Sequence, residues 1–460
     1  MAISTARRIA YDVLRRVEAE GAYATDELHT ELVASVKTQD AALAMELTLG
    51  VLRWRRLLDF LLDRQLKNPV ANLDLPVALA LRMGLYQLRF LERIPARAAV
   101  NESAELVKRA RKSSAASLVN AILRRVAIQT RQSAEDLLPS NISQAERLGI
   151  LYSHPTWMVE RWLPHLGELL TIRLLEANNS TPRLSCALHD PQRREEVPRA
   201  LEKAGLRLVP GQLLKAAFAV EGGSPARTEA FRNGWISIQD EASQAVPLLL
   251  DVHADDHVLD LCAAPGGKTP LLARAAGRKG VIVATDRYAH RLRAMHAQFV
   301  RLGLPDIHLV ELDAAKTLPF RIQFERILVD APCSGPGTLA RHPEIRWRLR
   351  PERLAEFHHL QTEILARALA QVARGGRLVY STCSLEPEEN EDVVADALEK
   401  ACGEGLVVRR LPASETARAL EGHLAEGVEA SRLFDGAGRF RTSPAVHQCD
   451  GFFAVAIEKH

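Results

Sequence analysis

Cysteine is scarce and dispersed in this chain: six among 460 residues (Cys186, Cys262, Cys333, Cys383, Cys402, Cys449), with no C-x-x-C pair and no zinc spacing. That pattern excludes a disulfide scaffold, gives no metal site, and fits a reducing, cytoplasmic setting. Nowhere do apolar residues run uninterrupted toward the eighteen that a membrane helix needs. The first thirty residues carry Arg7, Arg8, Asp12, Arg15 and Glu18, so no signal-peptide core is expected. There is no internal repeat, no low-complexity tract and little surplus of charge, with 60 Lys+Arg against 57 Asp+Glu. Ordinary shares of hydrophobic (47%) and charged (25%) residues exclude a disordered or collagen-like chain. What is present is length: 460 residues exceed a single core and predict two or three domains.

The near balance of charge hides an uneven distribution. Residues 1–140 hold 21 Lys+Arg against 16 Asp+Glu, the remainder 39 against 41. A basic excess there is compatible with a polyanionic partner. Residues 1–130 repeat apolar side chains with a period near 3.6 and predict a helical bundle. Ile9, Val13 and Val17 share one stripe opposite Arg8, Asp12, Arg15 and Arg16, and Leu57, Leu58, Leu61 and Leu62 form another before Pro69. Arg53, Arg55 and Arg56 flank Trp54, and Arg109, Arg111 and Lys112 crowd a helix end. The plain expectation is a solvated face whose charges complement helix C-termini. Residues 131–144 turn polar and read as a linker. Residues 145–232 read as a small α+β subdomain with helices at Trp157–Leu163 and Gly167–Ala177 and strands at Leu184–His189 and Ala217–Val220.

Over 233–460 short apolar runs alternate with helices, the pattern of a doubly wound, Rossmann-like α/β domain with a parallel sheet. Strands are expected at His257–Leu261, Gly280–Thr285, Ile307–Leu312, Arg326–Val329, Arg377–Tyr380 and Gly451–Glu458. In such a sheet ligands bind beyond the carboxyl ends of the strands. The first of these strands runs into Cys262-Ala263-Ala264-Pro265-Gly266-Gly267-Lys268, a small-residue turn that lets backbone approach a ligand. Asp260, Asp286, Asp313 and Asp330 stand at four successive strand ends, with Asp286 twenty residues past Gly266, where a carboxylate can accept from ribose hydroxyls. The strict G-x-G-x-x-G spacing is missing, and four acids would repel a pyrophosphate while attracting a sulfonium and an ammonium group. The residues therefore favour S-adenosylmethionine over a dinucleotide.

Two cysteines sharpen the reading. Cys333, in Asp330-Ala331-Pro332-Cys333-Ser334-Gly335, and Cys383, in Ser381-Thr382-Cys383-Ser384, both follow strand ends and would face one crevice. Cys186, Cys402 and Cys449 are expected as small buried hydrophobes. Thiolates are the nucleophiles that conjugate addition to a pyrimidine requires.

On these blocks, with Gln239-Asp240-Glu241-Ala242-Ser243-Gln244, Arg341-His342-Pro343, Glu389-Asn390-Glu391 and Asp450-Gly451-Phe452-Phe453, the stretch from Gln239 onward resembles the RsmB/NOP family of RNA cytosine-5 methyltransferases. Upstream, Ser153-His154-Pro155-Thr156-Trp157 extends the resemblance, and residues 1–130 are more loosely similar to the antitermination factor NusB. Cys449 departs from the family, which more often shows threonine there.

The resemblance implies a small-subunit ribosomal RNA partner, no membrane, no metal, a monomer, and S-adenosylmethionine held by Cys262 to Lys268. It implies that Asp286 holds the ribose, Asp313 meets the adenine amino group, and Asp330 lies by the methionine amine and target base. Cys383 would be the nucleophile and Cys333 would resolve the adduct, with the Pro332 carbonyl and Lys268 beside the cytosine. Two other classes stay open at this point. A nucleotide-dependent oxidoreductase would leave both cysteine loops unused, and a non-catalytic antitermination-like RNA-binding factor would explain the bundle alone.

Overall fold

The computed structural model describes residues 3–32, 36–129, 133–304 and 306–460; the first two residues of the expected linker, 131 and 132, lie outside them. The chain forms two compact units, one comprising Met1–Thr181 with Leu339–Arg348, the other Pro182–Thr338 with Leu349–His460.

The first unit is all helix: α1 (Thr5–Glu20), α2 (Ala24–Glu31), α3 (Thr38–Arg53), α4 (Arg55–Asp63), α5 (Leu75–Phe90), α6 (Ala96–Arg109), α7 (Ala116–Gln129), α8 (Gln144–Leu151) and α9 (Thr156–Asn179). The stripes seen in the sequence face inward, with Ile9, Val13, Leu58, Leu62, Leu81 and Leu123 among the buried core. Two helices expected at 157–163 and 167–177 form one element broken at Gly167, whose φ of 74° interrupts the helix after Pro164. The segment expected as 145–232 is divided: α8 and α9 belong to this unit, its strands to the other.

The arginines around Trp54 do not form a solvated face. Arg53 is buried and donates to the Ala340 carbonyl at 2.8 Å, while Arg56 donates to Thr156 Oγ1 at 2.8 Å and to the His154 carbonyl at 2.5 Å. Arg55 lies 3.4 Å from Glu18, and Arg109 pairs with Asp12 at 2.7 Å. Their partners are remote in sequence, which is why local charge patterning cannot reveal them. Exposed basic residues remain at Arg8, Arg15, Arg97, Arg111, Arg124 and Arg125.

Ser153-His154-Pro155 and the segment after Arg341-His342-Pro343 meet inside this unit through Arg346, which is wholly buried. Its guanidinium donates to Asn179 Oδ1 at 2.7 Å and to the carbonyls of Asn178 at 2.9 Å and Ser153 at 3.1 Å. Trp347 Nε1 donates to the Leu52 carbonyl at 2.7 Å. His154 is fully buried, its Nδ1 2.7 Å from the Tyr152 carbonyl; burial first, then Arg346, hold it well below the usual histidine range. These blocks are structural.

The second unit holds two sheets. A four-stranded antiparallel sheet of β1 (Leu184–Leu188), β2 (Arg207–Pro210), β3 (Ala217–Glu221) and β4 (Ile236–Ile238) runs in the order β2-β3-β1-β4. The large sheet contains β5 (His257–Leu261), β6 (Val281–Asp286), β7 (His308–Glu311), β8 (Phe324–Asp330), β9 (Val372–Thr382), β10 (Val408–Arg410), β11 (Phe440–Arg441) and β12 (Phe453–Lys459), in the order β10-β12-β9-β8-β5-β6-β7 with β11 beside β12. Strands β5 to β9 are mutually parallel, but β12 enters antiparallel beside β9, so the sheet is mixed rather than wholly parallel. Helices α10 (Thr269–Ala276) and α11 (Ala289–Arg301) cover one face, and α12 (Glu352–Gln371) and α13 (Glu391–Gly403) the other, each over its own apolar core. Cys186 and Cys449 are buried as expected, whereas Cys402, in the last turn of α13, is exposed. Among the described residues no helix is long and apolar enough to cross a membrane.

Replacing Arg346 with Met should lower the melting temperature of the first unit by more than about 5 °C, since three buried acceptors lose their donor at ~1–3 kcal/mol each. Arg350→Met, at an exposed position, should leave it within about 1 °C, as surface substitutions do. Equal melting of both variants in differential scanning calorimetry would contradict the anchoring role.

Candidate active site

The order β9-β8-β5-β6 places the topological switch between β5 and β8, so the loops after these two strands part at one crevice. The turn after β5 is shaped by backbone that tolerates unusual torsions: Cys262 has φ 66° and Gly266 φ 91°. A Cβ on Gly266 would stand 3.0 Å from Met295 Cγ, and one on Gly267 3.2 Å from Gln239 Nε2, so glycine keeps both positions open. Thr269 Oγ1, opening α10, donates to Asp260 Oδ2 at 2.7 Å, while Asp260 Oδ1 is buried without a partner.

The four strand-end carboxylates converge. Burial first, then the fields of Asp286, Asp260, Asp330 and Asp313, push the Cys262 thiol far above its ordinary value. Asp260, fully buried, is raised to about 7 by burial and by Asp330, against the pull of Thr269 and Lys268. Asp286 Oδ1 accepts from Tyr288 N at 2.9 Å and Asp313 Oδ1 from Ala315 N at 3.2 Å, so each uses one oxygen to hold its own turn. Asp330 is tied down on both sides, by Lys268 Nζ at 2.5 Å and Ser381 Oγ at 2.8 Å. Lys268 also lies 5.0 Å over the Phe452 ring.

Parallel pairing sets Asp330 opposite Ser381, and the loops that follow carry Cys333 and Cys383 to an Sγ–Sγ distance of 3.3 Å. The Cys333 thiol is held well above its ordinary value, first by its hydrogen bond with Cys383, then by burial. Beneath them Gly337 N donates to the Cys383 carbonyl at 2.9 Å and Gly451 N to the Gly337 carbonyl at 2.8 Å. A Cβ on Gly337 would fall 2.1 Å from the Gly451 oxygen, so only glycine permits this packing. Asp240 Oδ1 accepts from both Ala242 N at 2.9 Å and Asp450 N at 3.1 Å, binding the Gln239–Gln244 block to the Asp450–Phe453 block.

Residues 247–458 match the family described as 16S rRNA methyltransferase RsmB/F, and residues 4–128 match the NusB family. A probable ribosomal RNA small subunit methyltransferase B of Bacillus subtilis is 32% identical over 463 aligned residues, covering 99% of both chains. The chain belongs to the ribosomal RNA small subunit methyltransferase B family. A second member, from Synechocystis, is 34% identical over 84% of this chain and 87% of its own. The crystal structure of a methyltransferase homolog from Pyrococcus horikoshii is 30% identical with a TM-score of 0.56, covering 69% of this chain and all of that one.

Methyltransferases of this family use S-adenosylmethionine, and the strand-end residues fit it. Asp260 Oδ1 lacks a donor, and the converging carboxylates favour a cationic molecule. Among the described residues no group of three or more His, Cys, Asp or Glu could hold a metal ion. Of the strand-end residues singled out in the sequence, Asp260, Asp286, Asp313 and Asp330 come close enough to act together on Cys262, and Cys333 meets Cys383. Missed were Ser334, Ser384, Gln361 and the role of Glu389, which pack under the cysteine loops. Gln361 gave a signal: it is a buried polar residue inside the apolar stripe of Leu360, Ile364 and Leu365.

The Asp260 carboxyl carries a pH signature. Its folded value of about 7 lies above the ordinary 3.8 of an exposed aspartate, so between these the folded protein holds a proton the unfolded chain has released, and stability falls as pH rises through this window. Asp260→Asn should therefore gain stability relative to the parent between pH 5 and 8, by at most on the order of 4 kcal/mol. Urea midpoints whose difference is independent of pH would refute the assignment.

Proposed function

We propose that this protein methylates C5 of a cytosine in small-subunit ribosomal RNA through a covalent adduct between Cys383 and C6. The observation that carries this reading is the 3.3 Å approach of the Cys383 and Cys333 sulfurs at the cofactor crevice. C5 of cytosine is a poor nucleophile. Addition of the Cys383 thiolate to C6 forms an S–C6 bond and moves the C5=C6 electron pair into an enamine nucleophilic at C5. S-adenosylmethionine supplies an electrophilic methyl group when bound. C5 takes the methyl as the S–CH3 electron pair leaves with S-adenosylhomocysteine; a base removes the C5 proton, and the electrons of that C–H bond re-form C5=C6 and expel the thiolate.

Cys333 suits the last step. Its thiol, held protonated by its hydrogen bond with Cys383 and then by burial, stands 3.3 Å from the sulfur that must leave C6 and can donate its proton to it. Asp330, fixed by Lys268 and Ser381, faces the base with Lys268, and the Pro332 carbonyl helps hold it. Asp286 takes the ribose hydroxyls, Asp313 the adenine amino group, and Cys262 to Lys268 the remainder of the cofactor. The target cytosine must leave its stack to reach this crevice, which favours an unpaired loop. Residues 1–130, with exposed Arg8, Arg15, Arg97, Arg111, Arg124 and Arg125, supply phosphate contacts without sequence preference.

The two cysteine variants must fail differently. Cys383→Ala should abolish methyl transfer and form no RNA adduct, whereas Cys333→Ala should accumulate protein covalently joined to RNA, seen as a retarded band on a denaturing gel. A trapped adduct in Cys383→Ala and none in Cys333→Ala would reverse the roles, and full turnover in both would end the covalent mechanism. Asp286→Ala should weaken cofactor binding about tenfold or more, because charge-assisted hydrogen bonds contribute ~1.5–3 kcal/mol each. Unchanged affinity in titration calorimetry would remove Asp286 from the ribose site.

A further inference from the structure

The cysteine loops leave different strands and carry the two sulfurs that the proposed reaction needs in contact, yet nothing in parallel pairing fixes their separation once the chain has left the sheet. The contact that bridges them lies one layer below. Glu389, wholly buried in the turn before α13, has both carboxylate oxygens occupied. Oε1 accepts from Ser334 N at 2.8 Å and Gln361 Nε2 at 3.1 Å; Oε2 accepts from the hydroxyls of Ser334 and Ser384. Ser334 follows Cys333, and Ser384 follows Cys383. One oxygen atom therefore joins the residue after each cysteine.

The surrounding bonds hold the staple itself. Gln361 Nε2 also donates to the Pro332 carbonyl at 2.8 Å, and Tyr380 hydroxyl donates to the Glu389 carbonyl at 2.6 Å. Asn390 accepts from Thr382 Oγ1 at 2.5 Å and donates to the Ser384 carbonyl at 3.0 Å. Each residue flanking a cysteine thus has a buried partner in Gln361, Glu389 or Asn390. Glu389 is also among the charges that keep Cys333 protonated. A buried carboxylate is costly unless its acceptor sites are filled, so three converging donors on two loops and a fourth on α12 define one geometry strongly.

We infer that Glu389 is a positioning residue that staples the Cys333 and Cys383 loops and sets the sulfur–sulfur distance on which methyl transfer and adduct resolution depend. Its consequence for catalysis rests on the function proposed above; its geometric content does not. It acts through the two serines and touches no reacting atom.

The test uses the reduced full-length protein and has two independent readouts. Diamide oxidises two adjacent thiols to a disulfide, its N=N bond taking both protons and both electrons to become a hydrazine, so the rate of Cys333–Cys383 cross-linking, followed by peptide mapping without reduction, reports their proximity. Glu389→Ala should slow cross-linking about tenfold and lower kcat about a hundredfold, because loss of alignment by an ångström costs that much. Ser384→Ala, which removes only one arm and leaves the carboxylate three donors, should move both readouts in the same direction by a smaller factor. Glu389→Gln keeps the shape and bridging capacity and should restore cross-linking to within about threefold of the parent. In all three, S-adenosylmethionine affinity and the KM for RNA should stay within about threefold. Unchanged cross-linking in both Glu389→Ala and Ser384→Ala would overturn the staple, as would loss of cofactor affinity in proportion to kcat, which marks general unfolding. If the parent transferred no methyl group to RNA while the cross-linking rates still followed Glu389, the staple would stand and the proposed function would fall.

Discussion

Because β8 and β9 run parallel, with Asp330 opposite Ser381, the chain leaves both strands at the same edge of the sheet and in the same direction. That pairing decides which residues reach the crevice, and Glu389 beneath the two loops sets how far apart they stand. The loop after β8 brings Cys333, the loop after β9 brings Cys383, and the sulfurs meet at 3.3 Å. Strand β5, on the other side of β8, delivers the small-residue turn and Lys268, whose ammonium closes on Asp330 at 2.5 Å. Three neighbouring strands thus bring the cofactor turn, the carboxylate and the two thiols to one place, and the antiparallel β12 adds the Gly451–Phe452 backbone that floors it.

The electrostatics of the crevice are divided. Toward the ends of β8, β5, β6 and β7 it is acidic, with four carboxylates close enough to act together on Cys262, a field suited to a cationic cofactor. Toward β9 charge is kept out of sight: Glu389 is buried and satisfied, and Cys333 is held as a thiol. In the proposed reaction an electrophilic methyl group and a thiolate would then stand in adjoining but unlike surroundings.

Strands β5 to β8 were legible because each is a short apolar run with an acid at or next to its end, and because strand ends in an α/β sheet face the ligand whatever the details of packing. The antiparallel entry of β12 was not, since alternation of apolar residues carries no direction and the pairing with β9 is made across 71 residues of chain between Thr382 and Phe453. The short edges β2, β4 and β10 also escaped notice, being three or four residues of weak pattern. The arginines near Trp54 looked like a surface patch; Arg53 and Arg56 are instead donors to carbonyls 287 and 98 residues away, partners that no local spacing encodes. Cys402 had the composition of a buried thiol but falls on the outer face of α13. Glu389 and Gln361 were present in the sequence as a motif letter and a polar break in a stripe, and their meaning needed the two cysteine loops to be seen together.

The central claim is that the methyl group ends on C5 of a cytosine in small-subunit ribosomal RNA. The most direct measurement is base-resolution mapping of 5-methylcytosine, with mass analysis of the released nucleosides, in ribosomal RNA from cells lacking this protein and from the same cells supplied with it. The account predicts a 5-methylcytosine in the small-subunit RNA that is absent without the protein and returns with it. An unchanged 5-methylcytosine pattern, or a methyl group that returns on another atom or another base, would contradict it.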